Sequence, residues 1–225
     1  MCAGRVEGGS ADLGIVPVAE IDRQNLEWLP GTGIACRGAV RSILLVSRPE
    51  PRRIRTLATD AGSRTSVLLA RMVLRERYGA DPVTTPMTPQ LGAMLDAADA
   101  ALLIGDAALR VEPDSLSYHV LDLGREWWDM TGLPMVFALW SGRPGRVAEL
   151  GRSRMERLFR DSLEDGINNI NTIVAEETRK RGFSAPLVRE YLTRHIRFRI
   201  GPEEERGLAE YLRQVRELSQ VVTSC

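Results

Sequence analysis

Lysine is nearly absent. Lys180 is the single lysine among 30 basic residues, and all the others are arginine. Schiff-base chemistry and a phosphate-loop lysine therefore have almost no position to occupy. An excess of one charge is lacking too: 30 basic residues face 30 acidic ones, and the pI is about 6.8. No field of one sign exists to draw in nucleic acid non-specifically. Cysteine is confined to Cys2, Cys36 and Cys225. These are odd in number and far apart, which gives neither a disulfide framework nor a metal-ligand spacing, and isolated thiols suit a reducing cytoplasm. The two histidines, His119 and His195, form no HExxH-type pair. No apolar run approaches the roughly 18–20 residues of a membrane span. The opening MCAGRVEGGS has neither the apolar nor the basic segment of a secretory signal. A cytoplasmic protein with no membrane or nucleic-acid partner is expected.

What is present suits one or two compact domains. The chain has 225 residues, 44% hydrophobic and 27% charged, enough apolar matter for a real core and too little charge imbalance for disorder. Asp12 to Val18 reads as a short buried strand, Glu20 to Asn25 as a polar stretch, and Leu26 to Gly38 as a turn at Pro30-Gly31 followed by an apolar run. Val40 to Ser47 is a β-branched apolar strand, stopped by Pro49 and Pro51. The middle third then alternates. Strands are expected at Ile54 to Thr59, Pro82 to Pro86, Ala100 to Ile104, Tyr118 to Leu123 and Pro134 to Trp140. Helices are expected at Ser63 to Tyr78, Pro89 to Ala98 and Gly124 to Thr131. Such alternation, with strands apolar throughout, predicts an α/β fold with mainly parallel sheets covered on both faces. The last third reads as helical over Arg146 to Gly182, Ala185 to Ile196 and Pro202 to Val221, with a short Arg197–Ile200 segment between the last two.

The strongest chemical signal is Asp60-Ala61-Gly62-Ser63-Arg64-Thr65-Ser66. A strand ends, glycine permits a tight turn, and hydroxyls open a helix whose first N–H groups lack intrahelical partners. A carboxylate or phosphate lodged there gains several hydrogen bonds, with Ser63, Thr65 and Ser66 adding hydroxyls and Arg64 a full charge. The competing reading is simple capping by Ser63, with Thr65 and Ser66 solvated. Two more polar breaks border buried strands: Arg37-Gly38-Ala39-Val40-Arg41-Ser42, and Gly105-Asp106. Ligands of open α/β sheets bind beyond the carboxyl ends of strands, but Asp106 is equally suited to capping a helix and Arg41 to carrying surface charge. Trp127, Trp128 and Trp140 suit a core, and His119 a core or sheet-edge position. Gly31 and Gly33 lack the third glycine and the strand–turn–helix setting of a dinucleotide fingerprint.

The strings DLGIVPVAEI, PGTGIACRGAVRSILLVSR, IRTLATDAGSRTSVLLARMVLRERYG, AALLIGDAAL and YHVLDLGREWWDMTGLPMVFALW together resemble chorismate dehydratase, the family that opens the futalosine route to menaquinone. The resemblance runs from about Ala11 to the C-terminal helices. SRTSV, LLIGDAAL and TGLPMVFALW are specific in combination and weak singly. The resemblance implies a two-lobed fold like that of type 2 periplasmic binding proteins, with C-terminal helices. Residues 1–47 and 134–225 would form the first lobe and 48–133 the second. It implies a hydro-lyase that eliminates water from chorismate, a dicarboxylate, to give 3-(1-carboxyvinyloxy)benzoate. Aromatisation drives the reaction, so no redox or metal cofactor is required. Substrate binding would fall to Ser63, Arg64, Thr65, Ser66, Arg37, Ser42 and Asp106. None of them is an evident general base, a role the second carboxylate of the substrate can fill.

The family's opening strand, VSYLNT-like loop, helix and second strand have no counterpart before Asp12. The first lobe is therefore expected to be incomplete, and the chain as it stands to have little dehydratase activity. The alternative function is a non-catalytic two-lobed receptor for a small carboxylate.

Overall fold

A computed structural model describes residues 2–60 and 62–223, with side chains through Leu218. Met1, Ala61 and Cys225 thus lie outside the described residues. The chain divides into two units, at Cys36/Arg37, at Pro134/Met135, and within the last helix at Leu212/Arg213.

The first unit opens with helix α1 (Cys2–Glu7), then β1 (Leu13–Pro17), α2 (Val18–Gln24) and β2 (Glu27–Cys36). Neither short helix is announced by the sequence. Helix α1 buries only Val6, which packs against Gly14 of β1. Helix α2 starts directly from Pro17 with no side-chain cap and stops at Asn25, left-handed at φ 51°.

The second unit follows in sequence. It contains β3 (Ile43–Ser47), a 3-10 turn at Pro51–Arg53, β4 (Thr56–Asp60), α3 (Arg64–Tyr78), β5 (Val83–Met87) and α4 (Leu91–Ala97). Then come β6 (Ala100–Ile104), α5 (Asp106–Leu109), β7 (His119–Asp122) and α6 (Leu123–Thr131). Its five strands form one sheet in the order β5-β4-β6-β3-β7. Strand β4 runs parallel to β5 and β6, whereas β3 runs antiparallel to β6 and β7. All five residues of β3 are buried, because it lies inside the sheet with neighbours on both sides. The core on one face joins Leu44, Val46, Ala58, Met94, Ala101 and Leu103. Helices α3 and α6 are tied through the carboxylate of Glu126, which accepts from Arg77 Nη1 at 2.7 Å and Tyr78 Oη at 2.9 Å. Trp127 is fully buried and donates its indole N–H to the Pro134 carbonyl at 3.3 Å.

The chain re-enters the first unit at β8 (Met135–Gly142), followed by α7 (Arg146–Glu149), α8 (Arg152–Asn168), α9 (Ile170–Arg181) and α10 (Ala185–Glu190). A π-helical turn at Tyr191–His195, β9 (Arg197–Ile200) and α11 (Pro202–Thr223) follow, α11 belonging to the first unit as far as Leu212. The sheet order is β1-β8-β2-β9, and every pair is antiparallel.

Three expectations are corrected. Mainly parallel sheets are not found: one sheet is wholly antiparallel and the other mixed. Continuous apolar strands report burial on both faces and not strand direction. The segment Val40 to Ser47 does not lead out of the first unit, since β3 is an inner strand of the second sheet. The chain leaves at Cys36 and returns at Met135, which are Cα partners of β2 and β8. The helix over Arg146 to Gly182 is three helices, interrupted at Gly151 (φ 82°) and at Asn169. A left-handed glycine ends one helix without the Cβ clash that other residues would meet.

Candidate functional site

The candidate residues gather because of strand direction in the five-stranded sheet. Strands β4 and β6 are parallel, so both carboxyl ends point the same way, and β3 begins at that end because Ile43 pairs with Ile104. The loop after β4 carries Gly62 to Ser66, the loop after β6 carries Gly105 and Asp106, and the loop before β3 carries Arg37 to Ser42. Strand β7 brings Asp122 to the same end, opposite Leu44.

At the start of α3, Asp60 Oδ1 accepts the Gly62 N–H at 2.8 Å and tightens the turn. Ser63 is the N-cap: its Oγ lies 3.4 Å from the Ser66 N–H that it accepts and 3.0 Å from the Ser66 hydroxyl. The capping reading of Ser63 is therefore correct, but its corollary is not. Thr65 and Ser66 are each only 1% exposed, so their hydroxyls are not solvated. Arg64, by contrast, is exposed.

The loop before β3 is held by charges from two sides. The carboxylate of Asp122 accepts the Val40 N–H at 2.9 Å and the Arg41 N–H at 2.6 Å, and also caps α6 through the Arg125 N–H at 3.1 Å. The Arg41 guanidinium donates to the carbonyls of Ala108 at 3.0 Å and Val111 at 2.6 Å, at the end of α5. The Gly105 N–H donates to the Ser42 carbonyl at 2.7 Å. Arg37 is exposed and stacks over Trp128, its guanidinium carbon 4.8 Å from the ring centroid. Ser42 is buried and Asp106 is the first residue of α5, half-buried. The loop that carries Arg37 and Ser42 is thus bonded to the residue before Asp106, and Ser63 to Ser66 follow the neighbouring parallel strand at the start of α3. His119, at the opposite end of β7, is exposed. Arg41 and Asp122, which build this assembly, were not among the expected site residues.

A cavity of about 680 Å³ in the first unit is a poorer match to an anion. Its walls are Trp140 stacked on Phe159 at 4.0 Å, with Leu163, Ile170, Ile173 and Phe198. The arginines at its rim are engaged: Arg197 faces Glu204 at 3.4 Å and Arg199 faces Glu164 at 2.5 Å. Among the described residues, no group of three or more His, Cys, Asp or Glu side chains is placed to hold a metal ion.

The chain is 28% identical over 204 residues to chorismate dehydratase of Thermus thermophilus, covering 84% of this chain and 73% of that protein. Among solved structures it resembles a protein from Archaeoglobus fulgidus, with TM-score 0.75, 15% identity, and coverage of 97% of this chain and 83% of that one. It also resembles the periplasmic aliphatic sulphonate binding protein SsuA of Escherichia coli, with TM-score 0.62, 16% identity, and coverage of 96% and 74%. Identities this low establish the fold alone, a mixed α/β fold like that of periplasmic binding proteins. A match to the menaquinone biosynthesis family extends over residues 1–217, and the chain belongs to that family.

Proposed function

We propose that this protein is a chorismate dehydratase, a hydro-lyase that converts chorismate into 3-(1-carboxyvinyloxy)benzoate. The observation that carries the reading is the convergence of Ser63–Ser66, Arg37–Ser42 and Asp106 at one end of one sheet, in a member of a menaquinone biosynthesis family. The relative from Thermus thermophilus supports the same reaction.

The chemistry asks little of side chains beyond donors. The ring proton to be removed is conjugated, through a ring double bond, with the ring carboxylate. As that C–H bond breaks, negative charge moves toward the carboxylate, and the neighbouring C–O bond releases hydroxide, which leaves as water with the abstracted proton. Donors fixed on the ring carboxylate stabilise the transition state more than the ground state. The start of α3 is placed to offer such donors: the hydroxyls of Ser63, Thr65 and Ser66, with the positive end of a 15-residue helix behind them. Arg37 and Arg64 supply full charge for the dianion, and Ser42 and Asp106 orient the ring. The second carboxylate of the substrate takes up the proton first and passes it to the departing hydroxide, so that water leaves and the product keeps both carboxylates ionised.

The test is incubation with chorismate, following the rise of the aromatic product by absorbance and NMR. The variant lacking both the Ser63 and Thr65 hydroxyls should bind chorismate more weakly by about 0.5–1.5 kcal/mol per neutral hydrogen bond, and up to ~3 where the acceptor is charged. Unchanged affinity would remove α3 from the site. Binding with no product would favour the carboxylate receptor instead.

A further inference from the structure

Among the described residues, two non-glycine positions have positive φ: Asn25 at 51° and Arg41 at 65°. Asn25 ends a helix, where asparagine tolerates the left-handed region. Arg41 ends no helix, and arginine has no local bond that favours this conformation. Glycine would adopt it without strain, so the side chain at this position must do something that glycine cannot.

We infer that Arg41 and Asp122 are a pair of positioning residues that lock the Arg37–Ser42 loop and the start of α5 into the geometry the ligand meets. This rests on the chorismate dehydratase reading. Asp122 uses both carboxylate oxygens on the consecutive N–H groups of Val40 and Arg41, which closes the loop in its strained form. The same carboxylate caps α6, so the loop is referred to a nine-residue helix. Arg41 reaches the other way. Its guanidinium fork meets the carbonyls of Ala108 and Val111, at the C-terminal end of a four-residue helix that could not order itself. Between the two anchors, the Gly105 N–H is bonded to the Ser42 carbonyl. Ser42 and Asp106 are therefore fixed relative to each other from both ends. The fork points at backbone carbonyls, so Arg41 acts through the loop and is not itself an anion ligand.

The experiment uses Arg41→Gly, which relieves the strain but removes the fork, Arg41→Lys, which keeps the charge but loses the fork, and Asp122→Asn. Each is first shown to unfold cooperatively and is then assayed well below its melting temperature. Amide exchange at Val40 and Gly105 reads the bracing, and turnover of chorismate reads its purpose. Arg41→Gly and Asp122→Asn should each speed exchange at both amides and lower kcat about tenfold or more, with a smaller change in KM. The double variant should lose no more than the worse single, since both residues hold one loop. Arg41→Lys should fall between, and it serves as the probe if Arg41→Gly does not fold. Unchanged exchange overturns the bracing. Faster exchange with unchanged kcat overturns its purpose. If the parent chain neither binds nor turns over chorismate while exchange still responds, the functional reading fails and the bracing stands.

Discussion

At Ser63 a capping role in stability and the proposed role in recognition fall on one hydroxyl. Its hydroxyl caps α3 and lies beside the Ser66 hydroxyl, at the place proposed for a carboxylate. Two substitutions separate the roles. Ser63→Ala removes the capping acceptor and should cost about 1 kcal/mol of stability, read by urea unfolding. Ser63→Asp keeps an acceptor at the cap and adds charge of the sign that a helix start favours, so stability should be kept or improved. The same carboxylate repels a dianion, so chorismate affinity should collapse in Ser63→Asp while the fold is intact. Tight binding by a stable Ser63→Asp variant would place the anion elsewhere. The cap at Ser63 was legible in the sequence because capping is a local pattern. Arg41 and Asp122 were not legible. Their contact spans 81 positions, and a left-handed arginine leaves no mark in composition or periodicity.

At the scale of elements, Ala100–Ile104 and the helix ending at Tyr78 were legible because apolar runs and 3.6-residue spacing report burial directly. Strand direction was not, since it depends on partners distant in sequence: β8 lies between β1 and β2, about a hundred residues or more earlier. That strand also explains Gly33, which carried no clear meaning in the sequence. A Cβ there would lie 2.7 Å from both the Ala138 carbonyl and the Leu139 side chain. Gly33→Ala should therefore destabilise the first unit by about 1–3 kcal/mol through overpacking, measured as a lower urea midpoint. An unshifted midpoint would show that β2 relaxes around the methyl group. In the second unit, Asp99 joins the start of β4 to the start of β6. Its carboxylate accepts the Arg55 N–H at 2.9 Å and the Thr56 N–H at 3.0 Å, and its own N–H donates to Thr56 Oγ1 at 2.9 Å. The Arg55 N–H above all holds its carboxyl below the usual range, against the opposing pull of partial burial. A depressed carboxylate stabilises the fold fully above its unfolded pKa, about 3.9, and that contribution is lost as pH falls through the folded value. Asp99→Asn should flatten the decline in stability below about pH 4. Equal acid sensitivity in both proteins would assign the decline to other carboxylates.

At the scale of the molecule, the two units are built differently along the chain. The first is assembled from segments on both sides of the second, whereas the sheet of the second is contained in the single stretch Arg37–Pro134. That stretch holds all five strands, the core around Leu44, Ala101 and Leu103, the buried Trp127 and the Glu126 junction of α3 with α6. Its two ends lie close together, since the residues flanking it, Cys36 and Met135, are paired across β2 and β8. A contiguous segment with its own sheet and core meets the requirements for independent folding. The α11 segment of the second unit would be lost. Residues Arg213 to Leu218 of α11 border a recess with Met72, Arg75, Glu76 and Met130, so excision exposes apolar surface there. The isolated 37–134 fragment should therefore fold cooperatively but less stably than it does within the whole chain. Urea unfolding followed by circular dichroism, together with a dispersed amide spectrum, checks this. A fragment with no cooperative transition would mean that the α11 segment, or the first unit, supplies part of the core on which the candidate site is built.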